Sequence, residues 1–104
     1  MFGVGDTVPL TDVFGRYISS VRIDDVSPEW VSGDFTPGPQ FGEVASLFAE
    51  FEQLVNDQVF SLLDSVMDSI AALGLRSPDG TALRDIQIYP AARNANWRPV
   101  GYRR

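Results

Sequence analysis

The stretch from Phe41 to Leu73, FGEVASLFAEFEQLVNDQVFSLLDSVMDSIAAL, constrains this chain most, because after Gly42 it holds neither glycine nor proline. Apolar residues recur along it in steps of three and four: Val44, Leu47, Phe48, Phe51, Leu54, Val55, Val59, Leu62, Val66, Ile70 and Leu73. Those steps keep them on one side of an α-helix. Glu43, Ser46, Glu50, Gln53, Asp57, Ser61, Asp64 and Asp68 follow the same steps, and all are polar. A strand would instead alternate its polar positions. The pattern predicts one amphipathic helix over 41–73.

Its ends are signalled too. Thr36-Pro37-Gly38-Pro39 precedes it, and proline is tolerated in a first helical turn, where its missing N–H has no intrahelical partner. Glu43 lies near the positive end of the helix dipole. Gly74 suits the left-handed position after a helix, with Arg76 near it and Pro78 beyond. The length is awkward. Roughly 32 residues at about 1.5 Å each span roughly 48 Å, whereas a compact domain of about 100 residues has a radius of gyration near 13 Å. Either the helix breaks at Asn56-Asp57, since both residue types favour caps, or it runs on and its overhang packs against a partner. The polar stripe passes through Gln53, Asp57 and Ser61 without a phase slip, which favours continuity with at most a kink. A further apolar edge, Phe60, Leu63 and Met67, widens the buried face of the second half. It is a candidate self-association surface.

Shorter pieces surround the helix. Residues 1–11 read as a loose arm or an edge strand ending at Pro9. Residues 13–26 read as a strand, with Tyr17, Ser19, Val21 and Ile23 on the core face; Ile18 spoils the alternation. Ser27-Pro28 marks a turn, and residues 30–35 a second strand carrying Trp30 and Phe35. Ser77-Pro78-Asp79-Gly80 has the order of a type I turn. Ile86 and Ile88 alternate with Asp85, Gln87 and Tyr89, as in a strand. Ala91 to Asn96 reads as a loop. Residues 97–104 read as an edge strand, with Pro99 confining it there, or as an Arg-rich tail. The expected fold is α+β: a small antiparallel sheet of about four strands, order β-β-α-β-β, on one long helix. At 104 residues the chain is a single domain, 1–104.

Composition removes many chemistries. The chain has no Cys, His or Lys. Thiol and Schiff-base catalysis, Ser–His pairs, Lys-dependent phosphate loops and His or thiolate metal sites are therefore closed to it. No cofactor, metal or catalytic residue is indicated. Absence of Cys fits a reducing, cytoplasmic setting, and Met1–Asp6 lacks the basic and apolar regions of a signal peptide. No apolar run reaches the length of a membrane span.

Charge is uneven. Residues 24–75 hold ten acids and no base, whereas residues 76–104 hold six Arg against Asp79 and Asp85, within a net charge of −6. Such a chain has no general pull toward nucleic acid or anionic membranes; an acidic face attracts basic protein surfaces. The leading functional expectation is a small non-enzymatic interaction domain that binds a basic protein partner through Glu50, Asp57, Asp64 and Asp68. Inhibitors and immunity proteins that neutralise basic nuclease-like toxins share this charge logic. Tyr89 and Trp97, flanking a polar loop, are second interface candidates, since such residues often anchor interfaces.

Each surface has a plainer reading. The acidic stripe can be a solvated helix face, and Asp24, Asp25, Glu29 and Asp34 can be acids in turns. Arg93, Asn94, Asn96, Trp97, Arg98, Tyr102, Arg103 and Arg104 have the composition of a single-strand platform, but the net charge opposes it. The alternatives carried forward are a homodimeric accessory domain using Phe60, Leu63 and Met67, a small-molecule binder or carboxylate enzyme with a pocket lined by Trp30 and Phe35, and an acidic nucleic-acid mimic.

Overall fold

A computed structural model describes residues 2–99. The chain runs β1 (Thr7–Thr11), β2 (Tyr17–Val26), β3 (Val31–Pro37), a 3₁₀ turn at Phe41–Glu43, α1 (Ala45–Asn56), a 3₁₀ turn at Phe60–Leu62, α2 (Leu63–Ala72), β4 (Arg84–Tyr89) and β5 (Asn94–Arg98). The class is α+β. Among the described residues, however, the sheet has five strands, all antiparallel, in the order β1-β2-β3-β5-β4. Two helices, not one, pack on each other and on β4.

The fifth strand comes from residues 7–11, which pair with β2 and run through Pro9. Proline is tolerated there because β1 is an edge strand. The bridges Thr11–Arg76 and Arg76–Ala82 tie the end of β1 to the approach of β4. The sheet therefore curls round its core. Core side chains come from every strand and both helices, among them Leu10, Val21, Val31, Phe48, Phe51 and Ile88.

Two expectations are corrected by bulges and register. In β2, Leu10 pairs with Ser19 and Thr11 with Tyr17, so Ile18 is an extra residue opposite β1. The bulge shifts the phase: Ile18 is buried with Ser19, Val21 and Ile23, and Tyr17 is exposed. In β5 the strand starts at Asn94 inside the expected loop and ends before Pro99. It lies between β3 and β4 and is not an edge strand; residues 100–104 of the expected tail lie outside the described residues.

The continuous helix over 41–73 is not what forms. α1 ends at Asn56, with Asp57 as its C-cap, and Gln58 adopts φ 58° before α2 begins. The reason is geometric. The described residues extend 33 × 32 × 22 Å, too short for a rod of roughly 48 Å. Breaking the helix lets Phe48 and Phe51 of α1 and Val66 and Ile70 of α2 enter the same core. Gly74 takes φ 62° after α2, as the sequence predicts. The Ser77–Gly80 turn closes with Gly80 N–H donating to the Ser77 carbonyl at 2.9 Å.

Candidate interaction surface

The predicted acids all lie on the helical layer and are all exposed: Glu50 on α1, Asp57 at its C-cap, and Asp64 and Asp68 on α2. The break divides what reads as one stripe between two helices. Among the described residues, none of these four forms an ion pair; the ion pairs are Arg16–Asp12, Arg16–Glu43 and Arg98–Asp85. Their placements differ in energy. Asp64 lies in the first turn of α2, where the helix dipole favours an anion. Asp57 closes the C-terminal end of α1, which has no basic residue in its last turn. There the dipole disfavours an acid by about 0.3–1 kcal/mol.

Between the helices lies an apolar apex. Val59, Phe60 and Leu62 are 37%, 61% and 56% exposed, and Asp57 and Asp64 flank them in sequence. Of the predicted self-association residues only Phe60 is freely exposed. Leu63 and Met67 are partly buried and pack against the core. Leu62, which reads from the periodicity as a core residue, is displaced outward with Phe60.

The two aromatic candidates are placed differently from expectation. Trp97 is fully buried in the core, edge-on to Phe2 with ring centroids 5.4 Å apart. It cannot anchor a partner. Burial follows from register: Trp97 pairs with Val31, whose side chain is on the core face. Its indole Nε1 has no hydrogen-bond acceptor among the described residues. Tyr89 is half-buried. Its ring lies 5.4 Å from that of Phe51 of α1, and its hydroxyl donates to Gln87 Oε1 at 2.5 Å. Burial and then the Glu52 carboxylate push the Tyr89 phenol above its ordinary value.

Two concavities lie on the surface of the described residues. One, of about 580 Å³, runs between α2 and the residues leading into β4. The other, of about 340 Å³, lies on the outer sheet face among Trp30, Ser32, Gln87, Asn94 and Asn96. The pocket lined by both Trp30 and Phe35 that the small-molecule alternative calls for is not seen among the described residues, where Phe35 is buried in the core. Trp30 lines the outer groove, with the Arg98 guanidinium 3.8 Å from its ring centroid. Asp24, Asp25, Glu29 and Asp34 are exposed. No three metal-ligating side chains converge among the described residues, and no described helix is long and apolar enough to cross a membrane.

Sequence reasoning assigns no role to Glu52 or Asp12. Glu52 of α1 is buried, and its two oxygens accept the backbone N–H of Ala91 at 2.9 Å and of Ala92 at 3.2 Å. It clamps the β4–β5 turn onto α1. The signal was its phase, since position 52 follows Phe48 by four residues and belongs to the apolar side. Asp12 is buried and accepts the N–H of Phe14 at 3.0 Å, the N–H of Arg16 at 2.9 Å and Arg16 Nε at 2.6 Å. Comparison with known proteins adds no assignment: no family model, no curated protein and no solved structure matches the chain significantly.

Proposed function

We propose that this chain is a small non-enzymatic interaction protein whose acidic helical layer engages a basic protein partner. The observation that carries this reading is Asp57 together with Glu50, Asp64 and Asp68: four exposed carboxylates, none ion-paired among the described residues. One of them stands at the helix end where a cation would be more stable. That position gives the acid no folding advantage. The partner class is a protein surface rich in Arg or Lys, and the mode is that of an inhibitor or immunity-type protein. A cytoplasmic setting fits the absence of Cys. The chain has no Lys or His for phosphate or metal chemistry, which favours binding over catalysis.

The test is affinity capture on immobilised wild type and on the double variant Asp64→Arg/Asp68→Arg. A basic protein retained by wild type at low salt, released at high salt and absent from the variant supports the reading. Recovery of nothing, or retention indifferent to salt and to the variant, argues against it.

A second reading is favoured by the apex. Val59, Phe60 and Leu62 form an exposed apolar run of the kind that marks a contact surface. Here the protein is a homodimeric accessory domain. Sedimentation at micromolar concentration then gives a dimer, and Phe60→Ser with Leu62→Ser gives a monomer; a monomeric wild type removes this reading.

A further inference from the structure

The groove between α2 and β4 has an apolar floor and a predominantly acidic rim. Met67, Ile70, Leu83 and Ile86 line its base, Asp64 and Asp68 stand on the α2 side, and Arg84 and Asp85 on the other. Asp85 is ion-paired with Arg98 at 3.7 Å, so the rim carboxylates outside any ion pair among the described residues are Asp64 and Asp68. The volume, about 580 Å³, falls within the range of about 300–1,000 Å³ in which side chains or small ligands are held. A small-molecule site also needs convergent buried polar groups to fix its ligand. Among the described residues, buried side-chain polar atoms of Ser19, Asn96 and Trp97 lack a hydrogen-bond partner, and none of these residues lines this groove.

We infer that this groove docks a basic, amphipathic segment of the protein partner: a large apolar side chain inserts between α2 and β4, and flanking Arg or Lys side chains pair with Asp64 and Asp68. This rests on the reading of the helical layer as a basic-partner surface and gives it a location. Three observations favour this occupant. The floor is aliphatic, so it recognises an apolar group by burial. Met67 is only partly buried, which leaves apolar surface for an incoming side chain to cover. Asp64 and Asp68 are a helical turn apart, roughly 6 Å along the axis. That matches the spacing of cations one turn apart on a partner helix, and of same-face residues in an extended strand, roughly 6.6 Å. Charge sets orientation and approach, and the buried anchor supplies most of the residence time.

The experiment uses the whole chain, labelled with nitrogen-15, and three synthetic peptides: alternating arginine and leucine, arginine and serine, and glutamate and leucine. Expected are amide shifts confined to the groove, at Asp64–Ala71 and Ala82–Ile86, with the arginine–leucine peptide. The arginine–serine peptide binds at least about tenfold more weakly, and the glutamate–leucine peptide does not bind. Ala71→Tyr fills the groove from an exposed helical position. With its fold checked by circular dichroism, it lowers affinity for the arginine–leucine peptide about tenfold and leaves the arginine–serine peptide unaffected. If the two arginine peptides bind equally, or the shifts fall on Glu50 and Asp57, or Ala71→Tyr changes nothing, the groove is not the docking site, although the acidic-layer reading stands. If neither arginine peptide binds at low salt, both readings fail.

Discussion

Three carboxylates illustrate how one residue type does different work here. Asp12 is held by Arg16 and by two backbone N–H groups. Burial raises its pKa, but the hydrogen bonds from Arg16 and Phe14 outweigh that, and the net shift is below the ordinary 3.8. Its contribution to stability is therefore complete above about pH 4 and is lost as pH falls through the lower folded value. Asp12→Ala should lose about 2–3 kcal/mol at neutral pH, a fall in Tm of about 10 °C or more. In urea melts, the gap between wild type and Asp12→Asn should narrow on going from about pH 7 to about pH 2.5; a constant gap would remove the ionised Asp12 from the account. Glu52 does similar work for the β4–β5 turn, as an internal acceptor and not as a site. Asp57 does the opposite. Replacing it by Lys should raise stability by about 0.5 kcal/mol while weakening capture of the basic partner. Loss of both together would mean that Asp57 is structural.

The joint between α1 and α2 was the element least legible in the sequence. Every polar position from Gln53 to Ser61 kept helical phase, so the pattern carried no sign of a break; only the Asn56-Asp57 pair hinted at one. What broke the helix was the size of the domain, a non-local constraint. Gln58 makes the break testable by sign. At its φ of 58°, Gln58→Gly should stabilise the protein by a few tenths of a kcal/mol to about 0.5 kcal/mol, relief of left-handed strain offset by unfolded-state entropy. In a continuous helix the same change would cost about 1 kcal/mol. Thermal melts decide between them. Strand β4 was legible because Ile86 and Ile88 alternate cleanly. The start of β5 was not, because Asn94, Ala95 and Asn96 have low strand propensity and are held by pairing with β3 and β4 on both sides. Gly33 explains itself only in three dimensions. A Cβ there would lie 2.2 Å from the Arg22 carbonyl oxygen, so Gly33→Ala should cost about 2 kcal/mol or more by separating β2 from β3.

For the molecule as a whole, charge is set by composition and shape by long-range pairing. The Cα radius of gyration, 12.9 Å, is that of an ordinary domain of this length, about 13 Å. The acidity of residues 24–75 follows from composition alone, and the exposure of Glu50, Asp57, Asp64 and Asp68 followed from periodicity. The division of those acids between two helices did not, nor did the groove beside Asp64 and Asp68. Its far wall comes from residues 82–86, brought there by the sheet's curl. The burial of Trp97 depends on pairing with Val31, and sequence spacing does not reveal that register. On the proposed reading, the acidic layer draws in and orients its partner by charge, so affinity falls as salt screens it. The measurement that tests it is the partner's Kd as a function of sodium chloride, from about 50 to about 500 mM, for wild type and for a variant with Glu50→Gln, Asp57→Asn, Asp64→Asn and Asp68→Asn. Expected are a steep loss of affinity with salt for wild type and a weaker, nearly flat dependence for the variant. Equal slopes, or a wild-type affinity that does not change with salt, would contradict it.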